Sequence, residues 1–312
     1  MPLGCVTWRF VAALCLAVLA SSLGRAADAT GALRPFPLRV GITKFAFSNV
    51  NRNDAEAAFK IFSQAVARRK GYEVDSFVQV FDDIATFKEA VQSNTLSMII
   101  IDSWRYLAML PLTGMKPCFV SSERDTPGKR YLVLAQKDGP IQGMDDLRGK
   151  DVSEIDVNNT KLACWWLETS LRTRGLGTPE TFFGRLEKAG RASSAILPVY
   201  FGRKSACVVD EIGFEMVKEM NPQVGSRMKI VQASEPLVDG LICLSDTVWP
   251  TPQHRQDVAD ALQDLHIDPA GKQILTLFHT SRLVPFEARH LEATERLKAD
   301  YERFDPAKKD TR

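Results

Sequence analysis

The sequence predicts an α/β protein of two lobes, on three observations. From Leu38 onward, short apolar runs alternate with longer stretches of helical period, the pattern of strands linked by helices in mainly parallel sheets. The pattern then restarts near Asp151. In both halves a polar turn (QSNT, GRKS) leads into an apolar strand (LSMIII, ACVV) that ends at once on an acidic residue, Asp102 or Asp210.

The chain opens on MPLGCVTWRF, with one positive charge at Arg9, and continues through apolar residues from Phe10 to Leu23 into GRAADA. A basic start, an apolar middle and small residues at the end are the order of a secretory signal. The run is too short for the roughly 20 residues that span a bilayer. Residues 1–26 are therefore expected to be a signal peptide cut after Ala26, with Ala29 a second candidate site. Leu14 precedes Cys15 where lipid attachment wants a small residue. The mature protein is expected in the periplasm.

LRVGIT is the first strand. A helix follows over about 53–69, where Ala55, Phe59, Phe62 and Val66 recur at three- and four-residue spacing before Gly71 stops it. YEVDSFVQV, a helix through IATFKEAVQS, and the buried strand LSMIII complete the first series. YLVLAQKDGPIQGMDDLRGK then reads as strand, turn and short helix. The second series is the strand DVSEI, a helix from about Thr160 to Arg174, the helix RASSAILPVYF, the strand SACVVD and the helix EIGFEMVKEM. After KIVQASEPLVDGLICLS, three helical stretches starting near Thr251, Pro269 and Glu287 are expected to pack back over the first lobe. Crossings near residues 135 and 236 divide the chain into a first lobe of 36–134 with 237–312 and a second of 135–236.

Composition limits the partners. The formal charge of +2 falls to 0 when Arg9 and Arg25 leave with the signal (2 − 2 = 0), so no global field favours nucleic acid. Cys118, Cys164, Cys207 and Cys243 remain, each in an apolar context; buried free thiols are expected, with a pair such as Cys164 and Cys207 left open. CxxC, HExxH, GxSxG and GxxxxGK[ST] are absent, and His254, His266, His279 and His290 have no metal-like spacing. A binding protein without cofactor or metal is expected, not an enzyme.

Ligands of open α/β sheets bind outside the carboxyl ends of the strands, which singles out four loops. The loop after the first strand offers Thr43, Phe45 and Ser48; DSWRYLAM offers Asp102, Trp104 and Tyr106. In DVNNTK, Asn158, Asn159, Thr160 and Lys161 open a helix, whose free N–H groups and positive dipole end receive anions. Asp210 and Glu211 accept from a ligand amine or hydroxyl. Each loop has a plainer reading: Asp102, Asn159, Thr160 and Asp210 as caps, the aromatics as core.

LRVGITKF, IIIDSWRYLAM, DLRGKDVSEIDVNNT, ACVVDEIGFEMV, QASEPLVDGLICLS and DPAGKQILTLFHTSRLVPF, in this order over essentially the whole mature chain, resemble the phosphonate-binding-protein-like branch of the type II periplasmic solute-binding proteins that serve ABC transporters. The resemblance implies two Rossmann-like lobes joined by a two-strand hinge, closing over a small oxyanion received at the helix start near Thr160, with Tyr106 lining the cleft. Where that branch carries a Ser-Thr-Ser-Gly-like run, this chain has Asn159, Thr160, Lys161 and Leu162. Losing the glycine hinders close backbone approach, while Lys161 adds charge. A phosphonate, phosphate or phosphate ester fits best; a carboxylate or sulfonate meets the same physics. The implied partner is the membrane permease of an ABC transporter, or, alternatively, a membrane kinase or cyclase to which the protein presents its ligand as a sensor module. A monomer is expected.

Overall fold

The computed structural model describes residues 33–46, 52–123, 127–155, 161–277 and 280–304. The expected signal segment, Ser48, and Asn158 to Thr160 lie outside the described residues.

Alternation along the strands builds the first lobe. In β1 (Arg34–Thr43), Val40 and Ile42 face one core with Met98 and Ile100 of β3 (Met98–Asp102), while Ile99 and Ile101 of β3 face the other. Helix α1 (Arg52–Arg69) covers the first face through Ala55, Phe59 and Ala67. Helices α2 (Ile84–Gln92) and α3 (Ser103–Met109) cover the second through Phe87, Val91, Tyr106 and Met109. β2 (Tyr72–Phe81) pairs with β1, and the six strands run in the order β11 (Arg282–Pro285), β4 (Met115–Ser122), β10 (Gly240–Ser245), β3, β1, β2.

The second sheet has the order β7 (Arg185–Ala189), β6 (Asp151–Ile155), β8 (Ala206–Asp210), β5 (Tyr131–Gln136), β9 (Met228–Ala233). Val133, Val152, Ala206 and Val208 face α4 (Leu162–Thr173) and the short helix α5 (Pro179–Phe182). Leu132, Leu134, Cys207 and Val209 face α6 (Ala192–Tyr200), α7 (Glu211–Met220) and α8 (Pro222–Arg227).

Both sheets are mixed, which corrects the expectation of mainly parallel ones. β1 with β2 and β3, and β6 with β7 and β8, are parallel; β5 and β10 run antiparallel to both of their neighbours. β5 and β10 are entered directly from the other lobe, without the helical crossover that a parallel neighbour requires. The chain passes between sheets from Ser122 to Tyr131 and from Ala233 to Gly240. All of β5 pairs with β8 or β9, so the second sheet begins at Tyr131, ahead of the expected boundary at 135. The two crossings pair with each other: Lys129 N–H donates to Leu237 O at 2.8 Å and Leu237 N–H to Lys129 O at 2.9 Å.

Of the C-terminal helices, α9 (Pro252–Gln263) and α10 (Pro269–Leu277) pack on the first lobe as expected, through Leu262, Ile274 and Leu275. Helix α11 (Glu292–Phe304) departs from that expectation, because its apolar side carries Leu297 and Tyr301 into the core of the second lobe. It therefore spans the hinge. All four described cysteines are free, and Cys164 and Cys207 lie on opposite sides of the second sheet, which rules out that pairing.

Candidate functional site

The carboxyl ends of β1, β3, β6 and β8 and the helices that follow them carry the candidate residues. On the first lobe, Asp102 ends β3 and caps α3, its Oδ1 accepting from Arg105 N–H at 3.0 Å. Asp102 is buried; burial pushes its carboxyl above the usual range, against the pull of Arg105. Arg105 Nη1 lies 3.1 Å from Asp102 Oδ2, close enough for an ion pair yet too oblique for a hydrogen bond. The guanidinium lies 3.2 Å from the centre of the Phe45 ring. Thr43 is buried at the end of β1, and its hydroxyl has no hydrogen-bond partner.

Trp104 and Tyr106 are packed instead of lining an open wall. Trp104 stacks on Trp165 of α4 at 4.0 Å between centroids and meets Tyr301 of α11 edge-on at 5.5 Å. This stack brings the first turns of α3 and α4 together across the lobes. Tyr106 points into the core on the second face of the first-lobe sheet, beside Met109, Val238 and Leu291, and burial, followed by Cys243 and Glu295, pushes its phenol up to about 12. An aromatic on a short helix after an apolar strand suits core and site equally by pattern, and here packing takes both.

On the second lobe the helix expected from Thr160 begins at Leu162, with Lys161 as its cap residue at φ 55°, ψ 14°. A left-handed conformation is uncommon for a residue with a side chain. The Lys161 side chain does not cap the helix and is exposed, so its charge stays at the positive end of α4. At the end of β8, Asp210 caps α7 by accepting from Gly213 N–H at 2.6 Å, and Glu211 pairs with Arg130 of the first crossing at 2.9 Å. Asp210→Ala should lower stability by about 1 kcal/mol through loss of this cap, whereas Asp210→Asn keeps an acceptor and the stability. Urea unfolding of the two variants measures the difference, and equal losses would show that the cap is unimportant.

Arg105, Arg130 and Glu154 are absent from the residues the sequence points to. Asp102 and Arg105 at i, i+3 look like an ordinary surface ion pair, and only the fold reveals that both are buried. Glu154, second from the end of β6, is 1% exposed, with one oxygen 2.5 Å from Lys188 Nζ of β7 and the other without a hydrogen-bond partner. Among the described residues no group of three or more His, Cys, Asp or Glu side chains is placed to hold a metal, and no helix is long and apolar enough to cross a membrane.

Two mixed α/β sheets joined by a paired two-strand crossing, with helix starts meeting between them, define a solute-binding protein of the type II periplasmic class. The chain belongs to the family described as ABC transporter, phosphonate, periplasmic substrate-binding protein, whose model matches residues 46–291. It is thus a substrate-binding component of a transporter, not an enzyme, working with a small ligand and a membrane permease. No curated protein matches the chain. Among solved structures it resembles a Xanthomonas citri protein bound to ATP (13% identity, 86% of this chain and 97% of that one, TM-score 0.55). It also resembles the binding protein component of an ABC phosphonate transporter from Pseudomonas aeruginosa (14%, 88% and 89%, 0.53). PhnD1 from Prochlorococcus marinus in complex with methylphosphonate is similar too (14%, 84% and 97%, 0.51). At these identities the likeness is one of fold.

Proposed function

We propose that the protein is exported with cleavage after Ala26 and, as a monomer, captures a small oxyanion of the phosphonate, phosphate or phosphate ester class between its lobes for an ABC transporter. The single observation that carries this reading is the buried Arg105 guanidinium, in the helix turn that follows the carboxyl end of β3, with two nitrogens lacking hydrogen-bond partners. Its neighbours Thr43, Phe45 and Asp102 would form the first-lobe wall. Lys161 at the positive end of α4, with Asn158, Asn159 and Thr160 before it, would receive the anion from the second lobe, with Ser48 approaching from the loop after β1. Asp210 and Glu211 would read a distal polar group. Trp104 and Tyr106 would support the wall from behind. The family supports a phosphorus oxyanion as the first candidate.

Thermal unfolding of the mature protein, stripped of carried-over ligand, tests this against phosphate, methylphosphonate, phosphate esters, sulfonates and carboxylates. A ligand at 100 times its dissociation constant adds about 2.7 kcal/mol, a readable rise in midpoint. A rise with a phosphorus oxyanion that vanishes in Thr160→Ala, Lys161→Ala is expected. If no oxyanion moves the midpoint, the reading is wrong.

A further inference from the structure

We infer that Arg105 is the first-lobe contact for the ligand's oxyanion, held by Asp102 while the site is empty and turned over to the anion when it enters. The inference rests on the proposed oxyanion reading and adds to it the receptor residue and the shape of the ligand's head.

A guanidinium carries five N–H donors in a fixed plane. Buried donors are almost always satisfied, because leaving them unpaired is costly. Arg105 is 7% exposed, yet neither its Nε nor its Nη1 makes a hydrogen bond. Asp102 neutralises the charge without meeting that demand: one carboxylate oxygen is taken by the α3 cap, and the other approaches Nη1 obliquely and is itself without a hydrogen-bond partner. Arg–carboxylate pairs frequently close into two parallel hydrogen bonds, and this one does not. Phe45 packed against the guanidinium further restricts its orientation. Thr43 adds an unpartnered hydroxyl from the neighbouring strand end.

Position agrees with this role. Arg105 follows Trp104, whose stack on Trp165 places the first turn of α3 against the first turn of α4, the helix that Lys161 begins. An anion received at the carboxyl end of β3 would meet Arg105 beside Phe45. The guanidinium fork selects a head that offers two oxygens side by side: a phosphonate, a phosphate monoester or a carboxylate, as distinct from a single-oxygen acceptor or a neutral sugar.

Titration calorimetry with methylphosphonate, inorganic phosphate and acetate on wild type, Arg105→Gln, Asp102→Asn and the double variant tests it. Asp102→Asn retains the acceptor that caps α3 and removes the competing charge, so binding should tighten severalfold. Arg105→Gln should weaken the bound probe by about tenfold to a hundredfold, the span of a charge-assisted hydrogen bond, and the double variant should bind as weakly. If Arg105→Gln does not fold, the neutral Asn–Gln pair of the double variant carries the comparison with Asp102→Asn. Wild-type affinity in Arg105→Gln, or equal affinity in Asp102→Asn and the double variant, overturns the inference and leaves the oxyanion reading standing. No binding of any of the three probes by wild type overturns both.

Discussion

Lys129→Met is expected to destabilise the protein by about 3–5 kcal/mol, the range for removing one partner of a buried charge cluster. Lys129 lies in the first crossing at 11% exposure, its ammonium 2.8 Å from Asp239 of the second crossing and also paired with Glu123. Burial works against the charge, but Asp239 and then Glu123 hold the ammonium pKa above its ordinary value. Methionine keeps the length of the side chain and leaves the carboxylates facing each other without their cation. Asp239 belongs to the same stretch as Leu237, which bridges to Lys129, so the loss falls on the pairing that joins the lobes.

The pH dependence follows from the signs. Lys129, with its folded pKa raised, contributes stability that is complete below the ordinary lysine value and is lost only as pH rises through the raised one. Burial raises the Glu123 carboxyl despite Lys129, so the folded protein takes up a proton more readily than the unfolded chain and gains stability as pH falls through that window. In Lys129→Met the Glu123 carboxyl is pushed further up, and the deficit should be greatest at pH 7 to 8 and shrink towards pH 5. Denaturant midpoints of both proteins across that range measure it. A deficit below about 1 kcal/mol, or one independent of pH, would mean that solvent already screens the cluster.

The same distinction between pattern and burial explains what the sequence reveals. LRVGIT, LSMIII and ACVVD read as strands because Val40, Ile42, Ile99, Ile101 and Val208 must be buried whatever their neighbours are. RLEKA does not, since β7 is a sheet edge whose residues are mostly exposed. MKPCFVSS is disguised by Pro117, which sits beside the irregularity in the pairing of β4 with β10. For the site, Asp102 and Asp210 were visible as acidic residues at strand ends, and both are caps. The pattern around Trp104 suits site and core alike, and only the fold brings Trp165 from the other lobe to face it. Arg105 could not be found from spacing alone, because only the fold brings Phe45, some sixty residues away in the chain, against its guanidinium.

Lys188→Met is the second large loss expected, near the low end of about 3–5 kcal/mol because Lys188 is itself half-exposed. Glu154 and Lys188 are register partners at the ends of β6 and β7, and Cys164 in the first turn of α4 lies over them, its Sγ accepting from Lys188 at 3.2 Å. Burial, followed by the charge of Glu154, pushes the Cys164 thiol up to about 12, so this sulfur is a neutral packing group with no thiolate to offer at neutral pH. Burial opposes the Lys188 charge, but Glu154 holds its pKa above the ordinary lysine value, and its contribution is intact throughout the neutral range. Without Lys188 a carboxylate at 1% exposure loses its ion-pair partner. Glu154→Gln combined with Lys188→Met should therefore recover most of the deficit. Because the pair supports the turn of α4 proposed to receive the anion, the single variant should also show a smaller ligand-induced rise in midpoint than the double one. Equal denaturant midpoints for Lys188→Met and wild type at pH 7 would show that the start of α4 is held by its tryptophans alone.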